Sequence, residues 1–158
     1  MNKRTKALDK EQYETIIATI RNGFEYDGHI FKPNNRLATM LVVQANIGVR
    51  ISDIIKLRLD DIVRENGRYH LDIVEQKTGK ERNFTVPAAL YEFLEKYATD
   101  NRIQSTARLF PICERAVQKQ LKIVCDYLGV ESISTHSFRK FYATEIYINN
   151  DYDIELVR

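Results

Sequence analysis

Four side chains that can donate protons or hydrogen bonds stand at predicted junctions between elements of the chain. Arg50 follows Gly48 closely, at the start of a predicted helix and in apolar surroundings. Lys77 lies in a tight turn between two predicted strands. His136 and Arg139 are three residues apart, so both project from one face of the first turn of another predicted helix. Together they form a set of cationic donors suited to a negatively charged group.

Each of these signals also has an ordinary structural explanation when it is taken alone. Asp53 lies three residues after Arg50 on the same predicted helix face, where the two can form a structural ion pair. A lysine in a hairpin such as Lys77 is normally a solubilising charge. The His-x-x-Arg spacing of residues 136 and 139 occurs often by chance. Only the combination of these signals is specific enough to indicate a functional site.

Motifs of several common active sites are missing from the sequence. It contains no GxxxxGK[ST] phosphate loop, no GxGxxG after a strand, no HExxH and no GxSxG. The three histidines are scattered, with no Cys or carboxylate at ligand spacing, so we expect no metal site and no cofactor. We interpret Asp60 and Asp61 as a solvated turn rather than a metal pair. Cys113 and Cys125 have neither the spacing of a redox pair nor the number of a disulfide framework, and we expect reduced thiols in a cytoplasmic protein.

The composition is that of one folded domain. The chain has 158 residues, of which 44% are hydrophobic and 29% charged. No apolar run approaches the roughly 20 residues of a membrane span. The 24 basic and 22 acidic residues give a net charge of only +2, so composition alone does not indicate a nucleic-acid partner.

The elements that must position these side chains are predicted to be mostly helical. The first helix is capped by Asp9, with Gln12 as its capping-box partner, and ends near Asn22. A loop then leads to a second helix that ends at Gly48 and is apolar nearly all round, which predicts a buried position. The remaining predicted helices cover residues 51–59, 88–99, 115–128 and 136–148, with a last one starting near 153.

One stretch in the middle of the chain has the character of strands. Three short strands, over residues 62–64, 69–75 and 83–86, are separated by the turn formers Asn66-Gly67 and Thr78-Gly79-Lys80. We therefore predict an α+β fold that is mainly α, a helical domain with a small three-stranded antiparallel β-sheet.

These motifs, taken in order, resemble the catalytic domain of tyrosine recombinases, the phage integrase family. Residues 48–57 are similar to the family's first arginine box, residues 77–82 to its β-hairpin lysine motif, and residues 136–144 to its second box. Residues 7–13 look like its first catalytic-domain helix. The resemblance covers essentially the whole chain, residues 1–158, as a single DNA breaking-rejoining domain.

The resemblance implies a site-specific recombinase that cleaves and rejoins DNA strands through a 3′-phosphotyrosine intermediate. The catalytic residues would be Arg50, Lys77, His136 and Arg139. Asp53 would support them, and Lys80, Arg82 and Lys140 would bind DNA. The expected partners are double-stranded DNA and other protomers in a tetramer on that DNA.

The sequence also departs from the family pattern. Tyr142, Tyr147 and Tyr152 lie before the place where the family's nucleophile is expected, so we assign none of them as nucleophile. We expect a catalytic domain that is incomplete at its C-terminus and lacks the family's N-terminal core-binding domain. Two alternatives remain: an enzyme like the type IB topoisomerases, which share a similar set of cationic residues, and a catalytically inactive DNA-binding or regulatory module.

Overall fold

The computed structural model describes residues 8–75 and 77–145, with the backbone alone for residues 142–145. The helices are α1 (Lys10–Asn22), α2 (Asn35–Ile47), α3 (Ile51–Ile54), α4 (Ala88–Asp100), α5 (Glu114–Leu128) and α6 (Thr135–Glu145), with a 3₁₀ turn at Leu59–Asp61. The strands are β1 (Phe24–Tyr26), β2 (His29–Phe31), β3 (Ile62–Glu65), β4 (Arg68–Val74) and β5 (Glu81–Val86).

The first two helices form as their sequence signals predict. The Asp9 carboxylate accepts a hydrogen bond from the Gln12 backbone at 2.7 Å, and the Gln12 side chain accepts one from the Asp9 backbone at 3.2 Å. These two bonds complete the capping box of α1. Helix α2 is buried at nearly every position, so it lies at the centre of the core.

Strands β3, β4 and β5 form an antiparallel sheet in that order. Leu71 in the central strand is opposite Ile62 on one side and Phe84 on the other, and all three are buried. This sheet confirms the predicted α+β fold that is mainly α.

A second, smaller sheet forms where a loop was predicted. Strands β1 and β2 pair around Asp27 and Gly28, whose φ angles of 51° and 76° are both positive. Asp-Gly is a strong signal for such a tight hairpin turn. The Phe24 ring stacks on Phe31 across the strands at 4.9 Å and on Tyr127 of α5 at 4.6 Å. Because its strands are only three residues long, contact with α5 is what makes this hairpin stable.

Helix α3 is shorter than its apolar pattern predicts, ending at Ile54 instead of near Leu59. The reason is competition from a distant segment for the backbone. The Arg108 Nε donates to the Ile55 carbonyl at 2.7 Å, and the Leu109 N–H donates to the Leu57 carbonyl at 2.8 Å. These two hydrogen bonds occupy backbone carbonyls that a longer helix would use, so α3 ends early. The end predicted near residue 148 for the last described helix, and the helix predicted from residue 153, lie outside the described residues.

Helix α6 packs against α2 and is fixed by aromatic contacts to α1. Phe138 and Phe141 are completely buried. The Tyr13 ring stacks on Phe141 at 4.8 Å between centroids and lies 6.1 Å from Phe138. These contacts place the start of α6 beside the loop that follows α2. Among the described residues, we find no helix that is long and apolar enough to cross a membrane.

Candidate active site

The loop between α2 and α3 carries Arg50 and is held rigidly. Gly48 ends α2 in the left-handed conformation, with φ 71° and ψ 22°, and its N–H donates to the Gln44 carbonyl at 2.9 Å. The buried Gln44 side chain also donates to the Val49 carbonyl at 3.2 Å. Arg50 follows with extended backbone angles, φ −66° and ψ 147°, and precedes the first residue of α3.

Arg139 on α6 is anchored to this same loop. Its Nε donates to the Gly48 carbonyl at 2.8 Å. The start of α6 is fixed by the Ser137 hydroxyl, which accepts a hydrogen bond from the Ser134 N–H at 3.0 Å. The neighbouring Phe138 is buried in the core. The two predicted arginines are therefore positioned by one backbone segment, although they come from opposite ends of the sequence.

A buried carboxylate lies where these two arginines meet. The Glu75 Oε2 atom is 3.4 Å from the Nε of Arg50, 3.5 Å from an Nη of Arg139 and 3.6 Å from an Nη of Arg82. The Glu75 side chain is only 2% exposed. Its other oxygen accepts a hydrogen bond from the Thr78 hydroxyl at 3.0 Å. We call Arg50, Arg82 and Arg139 the arginine cluster.

The charges of this cluster keep the central carboxylate ionised. Burial by itself raises the pKa of Glu75, but the Thr78 hydrogen bond and the three guanidinium groups outweigh burial, so the pKa lies below its usual value. Burial and the nearby Arg50 lower the pKa of Arg139, which still stays protonated at neutral pH. The Glu75 charge faces three guanidinium groups and Asp53 lies near Arg139, so the arginine cluster keeps an excess of positive charge.

Lys77 lies on the turn that connects β4 to β5, two residues after Glu75. The Glu75 N–H donates to the Lys80 carbonyl at 2.8 Å, and the Gly79 N–H donates to the Glu75 carbonyl at 2.8 Å. Gly79 has a φ of +70°, a conformation that suits glycine in a tight turn. The side chains of Lys77 and Lys80 are both exposed on this turn.

His136 is exposed on the first turn of α6 and lies within the positive field of the site. Its pKa is below the ordinary histidine value, first because of desolvation and then because of the positive charges of Lys77, Arg50, Arg139 and Lys140. The hairpin lysine and the α6 residues therefore act on one another, although they belong to different elements.

Asp53, for which a supporting role is predicted, lies near the second arginine of the site. Arg50 forms an ion pair with Glu75. The predicted pairing assumed that Arg50 and Asp53 share a helix face, but Arg50 has extended backbone angles and lies outside the helix. Asp53 is buried and close enough to Arg139 to raise the pKa of that guanidinium.

Glu75 is the residue of this site that the sequence motifs did not identify. A weak signal for it exists in the alternation of β4. Leu71 is buried and Ile73 is half-buried, so the period of two places residue 75 on the inward side as well. Val74, in contrast, is 63% exposed. A carboxylate at an inward position, followed by Lys77 in a turn, indicates an internal cationic partner.

The arrangement suits an oxyanion with several oxygens. Glu75 occupies only the Nε of Arg50 and one Nη of Arg139. The other terminal nitrogens of these two guanidiniums donate to none of the described residues. Paired guanidiniums bind phosphate oxygens well because each presents planar, forked donors. Among the described residues, no cluster of His, Cys, Asp and Glu side chains could hold a metal ion.

The fold is similar to that of several solved recombinases. A lambda integrase dimer bound to a core site matches 99% of the chain and 45% of its own length, with 19% identity and a TM-score of 0.67. The Tn1549 transposon integrase, in complex with circular intermediate DNA, matches 99% of the chain and 57% of its own length, with 14% identity and a TM-score of 0.65. The XerH recombinase in a post-cleavage complex gives 20% identity and a TM-score of 0.64 over 93% of the chain and 43% of its own length. The chain thus spans about half the length of these recombinases.

Sequence comparison leads to the same group of proteins. The Bacillus subtilis (strain 168) protein named "Probable integrase/recombinase YoeC" is 26% identical over 128 residues, which cover 78% of this chain and 69% of the relative. The sequence model described as "Phage integrase family" matches residues 6–158. Because that match runs over nearly the whole sequence, the chain belongs to the phage integrase family.

Proposed function

We propose that this chain is the catalytic domain of a tyrosine-type site-specific recombinase, which cleaves and rejoins double-stranded DNA. One observation carries the proposal: Arg50 and Arg139 meet at one point, beside the hairpin that bears Lys77, with guanidinium donors left over for a ligand. The positive excess of the arginine cluster favours a phosphate diester as that ligand.

In the proposed reaction, a tyrosine hydroxyl attacks the scissile phosphate. The new bond joins the tyrosine oxygen to phosphorus, and the bond from phosphorus to the 5′-oxygen breaks. Arg50 and Arg139 stabilise the negative charge that grows on the non-bridging oxygens. Lys77 gives a proton to the departing 5′-oxygen, and His136 assists proton transfer from the nucleophile or donates to the phosphate.

The products are a 3′-phosphotyrosine and a free 5′-hydroxyl. The covalent intermediate retains the energy of the phosphodiester bond, so a 5′-hydroxyl from another strand can reverse the reaction without ATP. We assign no tyrosine of this chain as the nucleophile.

The proposed partners are double-stranded DNA and further protomers of the recombinase. In support, solved proteins with this fold were determined on DNA, one of them as a dimer. We extend this to a tetramer on DNA, in which two duplexes exchange strands, with Lys80, Arg82 and Lys140 as DNA contacts. We propose the cytoplasm as the place of action, because the substrate is DNA.

The proposal is tested with a nicked duplex that traps the covalent intermediate. A polypeptide that carries this domain and the tyrosine nucleophile should form a covalent DNA adduct. Replacing Arg50 or Arg139 with Ala should slow adduct formation by about 10²–10³-fold, as the loss of an oxyanion donor does in other enzymes. The exposed Arg115→Ala on α5 serves as the control and should react at the wild-type rate.

The role of Lys77 is tested in the same assay. The cleavage activity of Lys77→Ala should be restored by a substrate with sulfur in place of the bridging 5′-oxygen, because a thiolate leaves without a proton. If this substrate restores the activity of Lys80→Ala instead, the general acid is Lys80. DNA binding without any adduct, even with the nucleophile present, would favour an inactive DNA-binding module. Relaxation of supercoils without strand exchange would favour a topoisomerase.

A further inference from the structure

Glu75 is a buried ionised group to which the proposed reaction gives no role. An ionised carboxylate is costly to bury unless charges and hydrogen bonds compensate it. Glu75 lies directly after β4, on the inward side of that strand's alternation. Its presence at 2% exposure therefore calls for a specific function.

The contacts of Glu75 leave the ligand-binding donors of the arginines available. It takes the Nε of Arg50 at 3.4 Å and a single Nη of Arg139 at 3.5 Å. The Nε of Arg139 is bound separately by the Gly48 carbonyl. Glu75 and Gly48 thus orient both guanidiniums from the protein side.

The carboxylate itself is held in place. The Thr78 hydroxyl donates to its second oxygen at 3.0 Å, and the backbone of Glu75 makes two hydrogen bonds of 2.8 Å within the hairpin turn. Without this negative charge, the three guanidiniums would repel one another more strongly. Their separation would have to be reversed each time a phosphate binds, at a cost in conformational entropy.

We propose that Glu75 is a positioning residue that keeps Arg50 and Arg139 assembled in the DNA-free protein. The scissile phosphate then meets two guanidiniums that are already oriented. Its negative charge compensates the positive charge that Glu75 leaves in excess. This inference rests on the proposed function in one respect, namely that the two arginines bind phosphate. The assembly of the arginines by Glu75 can be tested without it.

The test is the order of individual arginine side chains in the 158-residue chain. Heteronuclear NOE values of the Nε–Hε groups report this order, and Arg108 is an internal control because its Nε donates to the Ile55 carbonyl at 2.7 Å. In Glu75→Gln, the Arg50 value should fall to that of a mobile side chain, while Arg108 keeps its value. Glu81→Gln removes the same charge from an exposed position at the start of β5 and should change neither.

Inorganic phosphate supplies the second readout. In Glu75→Gln, phosphate should restore the order of Arg50 and raise the Tm by several degrees more than in Glu81→Gln, because it replaces the missing negative charge. A Glu75→Gln chain that is unfolded in chloride but folds in phosphate supports the proposal equally. Glu75→Asp keeps the charge and should keep Arg50 ordered.

An Arg50 side chain that stays ordered in Glu75→Gln would overturn the proposal. Where phosphate moves the Arg50 or Arg139 signals of the wild-type chain, two further results would overturn it: a phosphate response equal to that of Glu81→Gln, or a Glu75→Gln chain that is unfolded in chloride and in phosphate alike. Failure of the proposed function gives a different result. In that case phosphate moves no Arg50 or Arg139 signal in the wild-type chain, whatever Glu75→Gln does.

Discussion

Arg139 shows how a single side chain is adapted to this site. Its guanidinium is bound by a neutral carbonyl at Gly48 and by the charged Glu75 carboxylate. A lysine has one compact ammonium group and could not bind both partners with the same planar geometry. Two fixed contacts leave part of the planar group to meet a ligand, which is the arrangement a phosphate site requires.

His136 gives a prediction that depends on charge alone. Desolvation and four positive neighbours, Arg139 among them, lower its pKa. Arg139→Ala should therefore raise the pKa of His136, as an NMR titration of the imidazole would measure. Arg115→Ala should leave it unchanged. A His136 pKa that stays the same in Arg139→Ala would mean that the two groups are not close in solution.

The lowered pKa of His136 also makes the stability of the fold depend on pH. Because the folded chain binds a proton at His136 less readily than the unfolded chain, the unfolded state gains protons first as the pH falls. The contribution of this residue to folding is thus complete above its unfolded pKa of 6.5 and is lost as the pH drops through the lower folded pKa.

At the scale of elements, the site depends on how α2 ends. Two helices of the described chain end at a left-handed glycine with almost the same geometry: Gly48 after α2, with φ 71°, and Gly129 after α5, with φ 69°. Only the first glycine is connected to the arginines, through its carbonyl bond to Arg139. Substitutions at these two glycines can therefore separate what a helix cap contributes to stability from what it contributes to the position of the arginines.

Gly48→Ala and Gly129→Ala should both lower the free energy of unfolding, by about 1 kcal/mol or more, because alanine is disfavoured at positive φ. Only Gly48→Ala should also weaken binding of inorganic phosphate. Gly129 is a clean control, since a Cβ there meets no atom within 4 Å. Chemical denaturation and phosphate titration measure the two effects. Equal phosphate affinity in both variants would contradict a role of the α2 end in positioning the arginines.

At the scale of the whole molecule, the nearly balanced net charge hides a strongly uneven distribution. The chain carries only +2 overall, yet positive groups from β4–β5, from the α2–α3 loop and from α6 come together around the buried Glu75 carboxylate. Such local positive potential, rather than net charge, attracts a phosphate backbone.

Binding of the 158-residue chain to duplex DNA should therefore weaken steeply as salt rises. The logarithm of the binding constant falls with the logarithm of salt concentration by about 0.9 for each phosphate contact. Arg139→Ala should reduce this slope by about one, and Arg115→Ala should not. Titrations at several salt concentrations measure the slope. A slope that Arg139→Ala leaves unchanged would show that this face does not meet the DNA backbone.

Much of this protein could be predicted from its sequence, because the signals are local. The Asp9 cap, the buried α2 and the turns that separate β3, β4 and β5 depend on residues a few positions apart, and all three formed as predicted. The resemblance to tyrosine recombinases rested on short motifs and led to the correct family. The contact of Arg50 with Glu75 spans 25 residues, and that of Arg139 with Glu75 spans 64.

Those long-range contacts could be decided only by the tertiary structure. Periodicity states which face of an element is buried, but it does not state which element will cover that face. The contact of Arg50 with Glu75 was therefore not predicted, and α3 was predicted too long because Arg108, which binds the Ile55 carbonyl, is distant in sequence. Packing of α6 on α2 brings Arg139 to the Gly48 carbonyl, and the β4–β5 hairpin brings Glu75 to both arginines. The types of the site residues could be read from the sequence alone, whereas their contacts with one another depend on how the helices and the hairpin pack.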